Sequence, residues 1–233
     1  MAPKARRNML RSTIALATLL TTFAANAQSP PTDADIAAFS KLHIAAHEGD
    51  VVAIAAALIA GADVDALDNK ARTPAHVAAF ASQDAALTAL AEAGADLNAL
   101  EYQIYDVVTI AAVANDPALV ELAIELGNRP DLTTSRYDGT ALIAAAHLGH
   151  HEVVRVLIEA GAPLDHVNNL EWTALIEAVI LGDGGPDHVA TVRHLVKAGA
   201  DQTIGDSYGV APLQHAKSLG YADIVELLEA AGN

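Results

Sequence analysis

The chain has 233 residues and a formal net charge of −16; 52% of its residues are hydrophobic but only 4% are aromatic. This composition suits closely packed small helices better than an all-β sandwich, and the acidity disfavours nucleic acid and anionic membrane surfaces as partners. Because the chain has no cysteine, disulfides, thiolate metal sites and cysteine nucleophiles are excluded.

Residues 1–27 have the features of a secretory signal peptide. Four basic residues within the first eleven positions precede an apolar stretch over 13–24, and a small-residue Ala-Asn-Ala triplet follows it. Cleavage before Gln28 is therefore expected. The alternative is a membrane anchor, but this apolar run of about a dozen residues is shorter than the ~20 that a span needs. We expect export to the periplasm of a Gram-negative bacterium without membrane insertion after cleavage, and a short linker at 28–32.

An internal repeat with a period near 33 residues dominates the rest of the chain. The motifs that open the repeats are SKLHIA (40–45), TPAHVA (73–78), DVVTIA (106–111), TALIAA (140–145), TALIEA (173–178) and APLQHA (211–216). Their final alanines are separated by 33, 33, 34, 33 and 38 residues. A single helix pair of this size cannot bury its own apolar face, so the period predicts helix pairs stacked in a row.

Local signals mark where the helices begin and end. Thr73, Thr140 and Thr173 are expected to cap the first helices, and Pro74 and Pro212 suit the first helical position. Second helices are predicted at roughly 51–60, 84–93, 117–126, 151–160, 187–198 and 222–231. The glycines expected to end these helices in a left-handed conformation are Gly61, Gly94, Gly127, Gly161 and Gly199. Residues 33–39 are expected to extend the first helix as an N-terminal cap.

These motifs resemble the ankyrin repeat, whose signature is TPLHxA followed by a helix that ends in GAD. TPAHVA and APLQHA are close matches, whereas the third repeat has Asp106 and Thr109 in place of Thr and His. The resemblance covers about 200 residues and implies an all-α solenoid of about six helix-turn-helix repeats with short connecting turns or hairpins. The expected repeats are 33–68, 69–101, 102–135, 136–168, 169–206 and 207–233. On this resemblance, His43 and His76 occupy the signature histidine, which makes structural hydrogen bonds.

The resemblance also implies recognition through the turn tips and the concave wall of first helices. Aromatic tip residues are candidate binding anchors, namely Tyr102, Tyr137, Trp172 and Tyr208. For Trp172, packing against the next repeat is favoured over partner binding. For Tyr102 and Tyr137, packing and partner binding are equally favoured. Two rows trace the wall: Ile44, Val77, Ile110, Ala144, Glu177 and His215, then His47, Phe80, Val113, His147, Ile180 and Ser218.

The two halves of this wall are expected to differ. The first three repeats should present an apolar strip, while the last three add His147, Glu177 and His215. Because stacked helices lie about 10 Å apart, the side chains of Glu177 and His215 are expected to come within reach of each other.

Residues 182–188 form an insertion that accounts for the longest repeat interval. Loops on rigid scaffolds often carry function, which makes Asp183 and His188 candidates. The string WTALIEAVILGDGG (172–185) also resembles one from a group of exported or uncharacterised bacterial ankyrin proteins. That resemblance implies that Glu177, Asp183 and His188 matter, without indicating for what.

Two functions remain open at this point. The first is a monomeric scaffold that binds a protein partner, of unknown identity, through the tips and the concave wall. The alternative is a small-ligand or metal site at His147, Glu177 and His215, with a stress-protective role such as that linked to some exported ankyrin proteins. His43 with His47, and His147 with His151, have the i,i+4 spacing that can place two imidazoles on one helix face. Their positions in ordinary repeat text nevertheless favour a structural role over a metal site. No HExxH, GxSxG or P-loop motif occurs, so no enzyme activity, catalytic residue or cofactor is predicted.

Overall fold

The computed structural model describes residues 28–232, so the signal peptide predicted at 1–27 lies outside the described residues. Every helix described below belongs to one compact unit, Pro31–Asn233. In the described range the regular secondary structure of this unit consists of α-helices and one isolated β-bridge.

Thirteen helices follow one another along the described chain. They are α1 (Asp33–Ala37), α2 (Lys41–Glu48), α3 (Val51–Ile59), α4 (Pro74–Phe80), α5 (Asp84–Glu92), α6 (Val107–Val113), α7 (Pro117–Glu125), α8 (Ala141–Leu148), α9 (His151–Glu159), α10 (Ala174–Ile180), α11 (Pro186–Ala198), α12 (Pro212–Leu219) and α13 (Ala222–Ala231). After α1 they form six pairs, from α2 with α3 to α12 with α13. The second helices agree with the predicted ranges to within about one residue.

The six pairs stack side by side. The first helices α2, α4, α6, α8, α10 and α12 contact one another in sequence, and we call them the first-helix row. The second helices contact one another in the same order and form the second-helix row. Leu142 and Leu175, on successive first helices, are at most 1% exposed. Burial of a leucine side chain contributes roughly 1.5–3 kcal/mol, so contacts between neighbouring pairs stabilise the predicted all-α solenoid.

The predicted helix ends are confirmed. The side-chain oxygens of Thr73, Thr140 and Thr173 each accept a hydrogen bond from the backbone N–H three residues later. Pro74 and Pro212 are the first residues of α4 and α12. The five predicted glycines all have positive φ, between 84° and 102°.

The prediction for residues 33–39 was wrong in one respect. They do not extend the first helix, because α1 ends at Ala37 and the side chain of Ser40 caps a new helix, α2. Helix α1 is held instead by its Asp35 carboxylate, which lies 3.0 Å from Lys70 Nζ and 3.5 Å from an Arg72 guanidinium nitrogen.

The signature histidines join neighbouring repeats, as the resemblance implied. His43 Nε2 lies 3.0 Å from the Arg72 carbonyl oxygen. His76 Nδ1 accepts a hydrogen bond from the Thr73 N–H, which leaves Nε2 to donate to two carbonyl oxygens. These belong to Ala99, at 2.9 Å, and to Tyr105 of the next repeat, at 3.2 Å. The divergent third repeat uses a different bond at this position, between the hydroxyls of Thr109 and Thr134 at 3.0 Å.

The buried His76 predicts a loss of stability in mild acid. Burial lowers its pKa from 6.5 to about 4, so the unfolded chain binds more protons than the folded chain between these values. The contribution of the neutral His76 to the free energy of unfolding is therefore complete above pH 6.5. It is lost as the pH falls through 6.5 towards 4, by up to ~3 kcal/mol. Urea denaturation of the wild type and of His76→Gln should show a flatter pH dependence for the variant in this window. Parallel curves for the two proteins would contradict the assignment.

Candidate functional site

Five turn tips connect the repeats, and each is held by the same hydrogen-bond arrangement. The first residue of each tip has a side-chain oxygen that accepts hydrogen bonds from the backbone N–H groups two and four residues later, at 2.7–3.3 Å. We call this arrangement the tip brace, and its residues are Asp68, Glu101, Ser135, Asn168 and Asp206. Side chains with an oxygen acceptor favour such turns. Their recurrence at near-regular intervals is the sequence signal that could have predicted the tip brace.

The tip brace coincides with a left-handed residue. The residue three positions after each brace residue has φ between 53° and 73°, at Ala71, Ile104, Asp138, Glu171 and Gly209. A non-glycine residue in this region is uncommon and persists where surrounding bonds hold it. The tips are therefore defined backbone turns.

Successive tips are also joined to each other. A backbone N–H of one tip donates to a carbonyl of the preceding tip, from Tyr102 to Lys70 at 3.0 Å, from Ser135 to Ile104 at 2.7 Å and from Asn169 to Tyr137 at 2.9 Å. The first four tips consequently form a continuous edge.

The four candidate aromatic residues all lie on the tips but differ in exposure. Tyr208 is 89% exposed and Tyr102 is 41% exposed, with Lys70 Nζ 5.7 Å from the centre of the Tyr102 ring. Tyr137 and Trp172 are partly buried. The geometry thus presents Tyr208 and Tyr102 most openly.

Glu177 and His215 each contact the tip that directly precedes their own first helix. Asn168 Nδ2 donates to Glu177 Oε1 at 2.8 Å, and Asp206 Oδ2 lies 3.0 Å from His215 Nε2. His147 Nδ1 lies 3.4 Å from the other oxygen of Glu177, which is only 3% exposed. Glu177 and His215 form no ion pair with each other, because each side chain contacts the tip that precedes its own first helix. Both residues position tips, through brace residues that the sequence analysis did not single out.

The predicted apolar strip on the first three repeats was also wrong in part. Val77 and Ile110 are fully buried, and of that row only Ile44, at 38%, is exposed. Phe80 and Val113, in the second row, are partly buried. Val77 and Ile110 occupy the first-helix position equivalent to Glu177, and this position lies beneath a tip.

The insertion at 182–188 is fastened on both sides. Asp183 Oδ1 accepts the Gly185 N–H at 2.8 Å and lies 3.0 Å from His188 Nδ1, and these two contacts lower the pKa of Asp183. His188 Nε2 lies 3.1 Å from the His147 carbonyl oxygen in the preceding repeat. The Tyr221 hydroxyl donates to the Gly182 carbonyl oxygen at 2.8 Å in the following repeat. Asp183 and His188 therefore hold the insertion in place.

The structure places the candidate histidines differently from the sequence-based expectation. His147 lies on α8 and His151 on α9, so their i,i+4 spacing does not put them on one helix face. Among residues 28–232, His147, Glu177 and His215 are not brought together as a set of metal ligands, whereas His151, Glu152 and His194 are. The sequence analysis missed this second group because its members lie on different second helices.

Arg72 is a further residue that the sequence analysis overlooked. Its side chain is fully buried, with a guanidinium nitrogen 2.7 Å from Asp68 Oδ2 of the first tip. It directly precedes the cap Thr73, just as Tyr105 and Trp172 precede theirs, and this equivalence was the available signal.

Replacing Gly184 by alanine is expected to destabilise the protein more than replacing Gly209. Both glycines have φ near 70°, so an alanine is strained at either position. Only at Gly184 would the added Cβ meet another group, the ring of Tyr221. Thermal and urea denaturation should show an additional loss of about 1–3 kcal/mol for Gly184→Ala. Equal losses for the two variants would show that Tyr221 does not confine the insertion.

Comparison with known proteins agrees with this geometry. A family model described as Ankyrin repeats (3 copies) matches residues 108–206, and one described as Ankyrin repeat matches 42–69. The ankyrin repeat domain of Acinetobacter baumannii AYE is 41% identical, with a TM-score of 0.77 over 82% of this chain and 97% of that one. The ankyrin repeat protein EF0377 is 31% identical, with a TM-score of 0.75 over 81% of this chain and 96% of that one.

A curated relative covers part of the chain. The putative ankyrin repeat protein YahD of Escherichia coli K12 is 37% identical over 49% of this chain, and the match spans 58% of the length of YahD. None of the helices among residues 28–232 combines the length and the hydropathy that a membrane span requires. The stacked helix pairs, the family models and the two solved domains agree, and the chain belongs to the ankyrin repeat family.

Proposed function

We propose that this protein is a periplasmic scaffold that binds a protein partner through its tips and the adjoining first-helix row. Ankyrin repeats typically mediate protein–protein interaction, and proteins built from them are generally non-enzymatic scaffolds. The observation that carries the proposal is Tyr208, which is 89% exposed on a tip braced by Asp206. An aromatic side chain on a preorganised turn can bury a large contact area with little loss of conformational entropy.

The charge of the chain indicates the chemistry of the partner. The formal net charge is −16, and the tips include the exposed acids Asp138 and Glu171. Electrostatic complementarity then favours a partner whose contact surface is basic and also offers apolar pockets for Tyr102 and Tyr208.

Site-specific photo-crosslinking in living cells tests this binding surface. Benzoylphenylalanine in place of Tyr102 or Tyr208 should capture the same partner, because both positions lie on tips. The same probe in place of Val52, which is 80% exposed on the second helix α3, provides a control of similar accessibility. The captured partner should then bind Tyr208→Ala at least about fivefold more weakly than the wild type in calorimetry, which is the ~1 kcal/mol expected for an anchor. Capture from position 52 alone, or unchanged affinity, would refute the tip assignment.

The proposed location rests on the first 27 residues. Their four basic residues, apolar stretch and Ala-Asn-Ala triplet support recognition by a signal peptidase. The mature protein is expected in the periplasmic fraction with Gln28 as its first residue, as determined by N-terminal sequencing. Recovery of a chain that starts at Met1 from the cytosol would contradict export and leave the tip proposal untouched.

The alternative ligand site at His147, Glu177 and His215 is not proposed. Glu177 and His215 are each bonded to the tip that precedes their own helix, and among the described residues these three side chains do not form a set of metal ligands.

A further inference from the structure

A second group of polar side chains lies on the second-helix row, between α9 and α11. His151 begins α9, and its ring stacks against that of His194 on α11, with centroids 6.2 Å apart and planes inclined by 8°. Glu152 Oε1 lies 3.4 Å from His151 Nδ1. His151, Glu152 and His194 each offer one ligand atom, and these atoms all lie within 4.8 Å of one another.

The ring of His151 has two differently placed nitrogens. Nδ1 is buried and has no hydrogen-bond partner, which is uncommon for a buried polar atom. On the opposite edge, Nε2 lies 3.8 Å from a carboxylate oxygen of Asp187. This distance is longer than a hydrogen bond, so Asp187 contributes negative charge near the His151 ring without fixing its orientation.

We propose that His151, Glu152 and His194 form a binding site for a divalent transition-metal ion, for which Zn²⁺ is the best match. Two imidazole nitrogens and one carboxylate oxygen are zinc ligands, and three protein ligands leave a position for water. Mg²⁺ and Ca²⁺ prefer oxygen ligands alone and are a poor match for this set.

The charged neighbours leave one oxygen of Glu152 available. Arg155 Nε donates to Glu152 Oε2 at 3.0 Å, and Arg155 also pairs with Glu159 at 2.7 Å. Glu152 Oε1, which faces His151, is therefore the oxygen that binds the ion. The positive charge of Arg155 opposes a cation, and the nearby carboxylates of Glu152 and Asp187 offset it.

An ion bound here would link repeat four to repeat five, because α9 and α11 belong to successive pairs. A ligand that binds the folded state alone raises the melting temperature by mass action. The site lies on the second-helix row and the tips lie at the other ends of the pairs, so the inference stands apart from the proposed protein partner.

Zinc titration of the full chain, produced without a polyhistidine tag and stripped with a chelator, tests the site. Calorimetry is expected to show one equivalent of Zn²⁺ bound, with a higher melting temperature, and Mg²⁺ should produce neither effect. His194→Asn should weaken Zn²⁺ binding at least tenfold. His166→Asn provides the matched control, because it removes an imidazole whose Nε2 lies 2.6 Å from the Asp138 carbonyl oxygen, away from the cluster.

Glu152→Gln is a second variant, which decides the matter if His194→Asn does not fold. Half of the Glu152 side chain is exposed, so its replacement leaves the core intact. Zinc binding weakened in the folded His194 or Glu152 variant and retained in His166→Asn supports the site. Absence of zinc binding to the wild type, or equal binding by all the folded variants, overturns it.

Discussion

A helix pair of this chain can remove its apolar side chains from water only by packing against the pairs before and after it. Leu142 on α8 and Leu175 on α10 are at most 1% exposed because those first helices lie side by side. The free energy of unfolding is then close to a sum of contributions from neighbouring pairs. The sequence of a turn can therefore vary as long as the pairs still stack. The start of the row needs a cover of its own, and α1 supplies it through the bonds of Asp35 to Lys70 and Arg72.

The tip brace holds each turn through a single side chain, so the neighbouring side chains of the tip can differ. Aspartate, glutamate, serine and asparagine all serve as brace residues, because each offers an oxygen to two backbone N–H groups. The two residues between each brace residue and the left-handed residue differ in side chain from tip to tip, and they include Tyr102, Tyr137 and Tyr208. In repeats five and six the first helix adds a polar residue under the brace, Glu177 or His215, which limits the freedom of the tip further.

The features that follow from chemistry within one repeat were predictable from the sequence. A threonine before a helix caps it whatever surrounds it, so Thr73, Thr140 and Thr173 and the 33-residue period sufficed for the helices and their stacking. Glu177 illustrates where this reasoning fails: the spacing between helices was known, but the side on which the tip folds back was not. His151 and His194 were missed for a related reason, since they occupy different positions on α9 and α11 and no repeat register aligns them.

The insertion explains how those two helices come to differ. Helix α11 has thirteen residues whereas α3, α5, α7 and α9 have nine, and its first turn contains Asp187 and His188. His188 reaches the His147 carbonyl of repeat four, while Tyr221 of repeat six bonds to Gly182 at the start of the insertion. Three successive repeats are therefore tied at one place. In an array where each pair contacts only its neighbours, such hydrogen bonds raise the cooperativity with which repeats four to six unfold. These repeats also contain the polar positions Glu177 and His215.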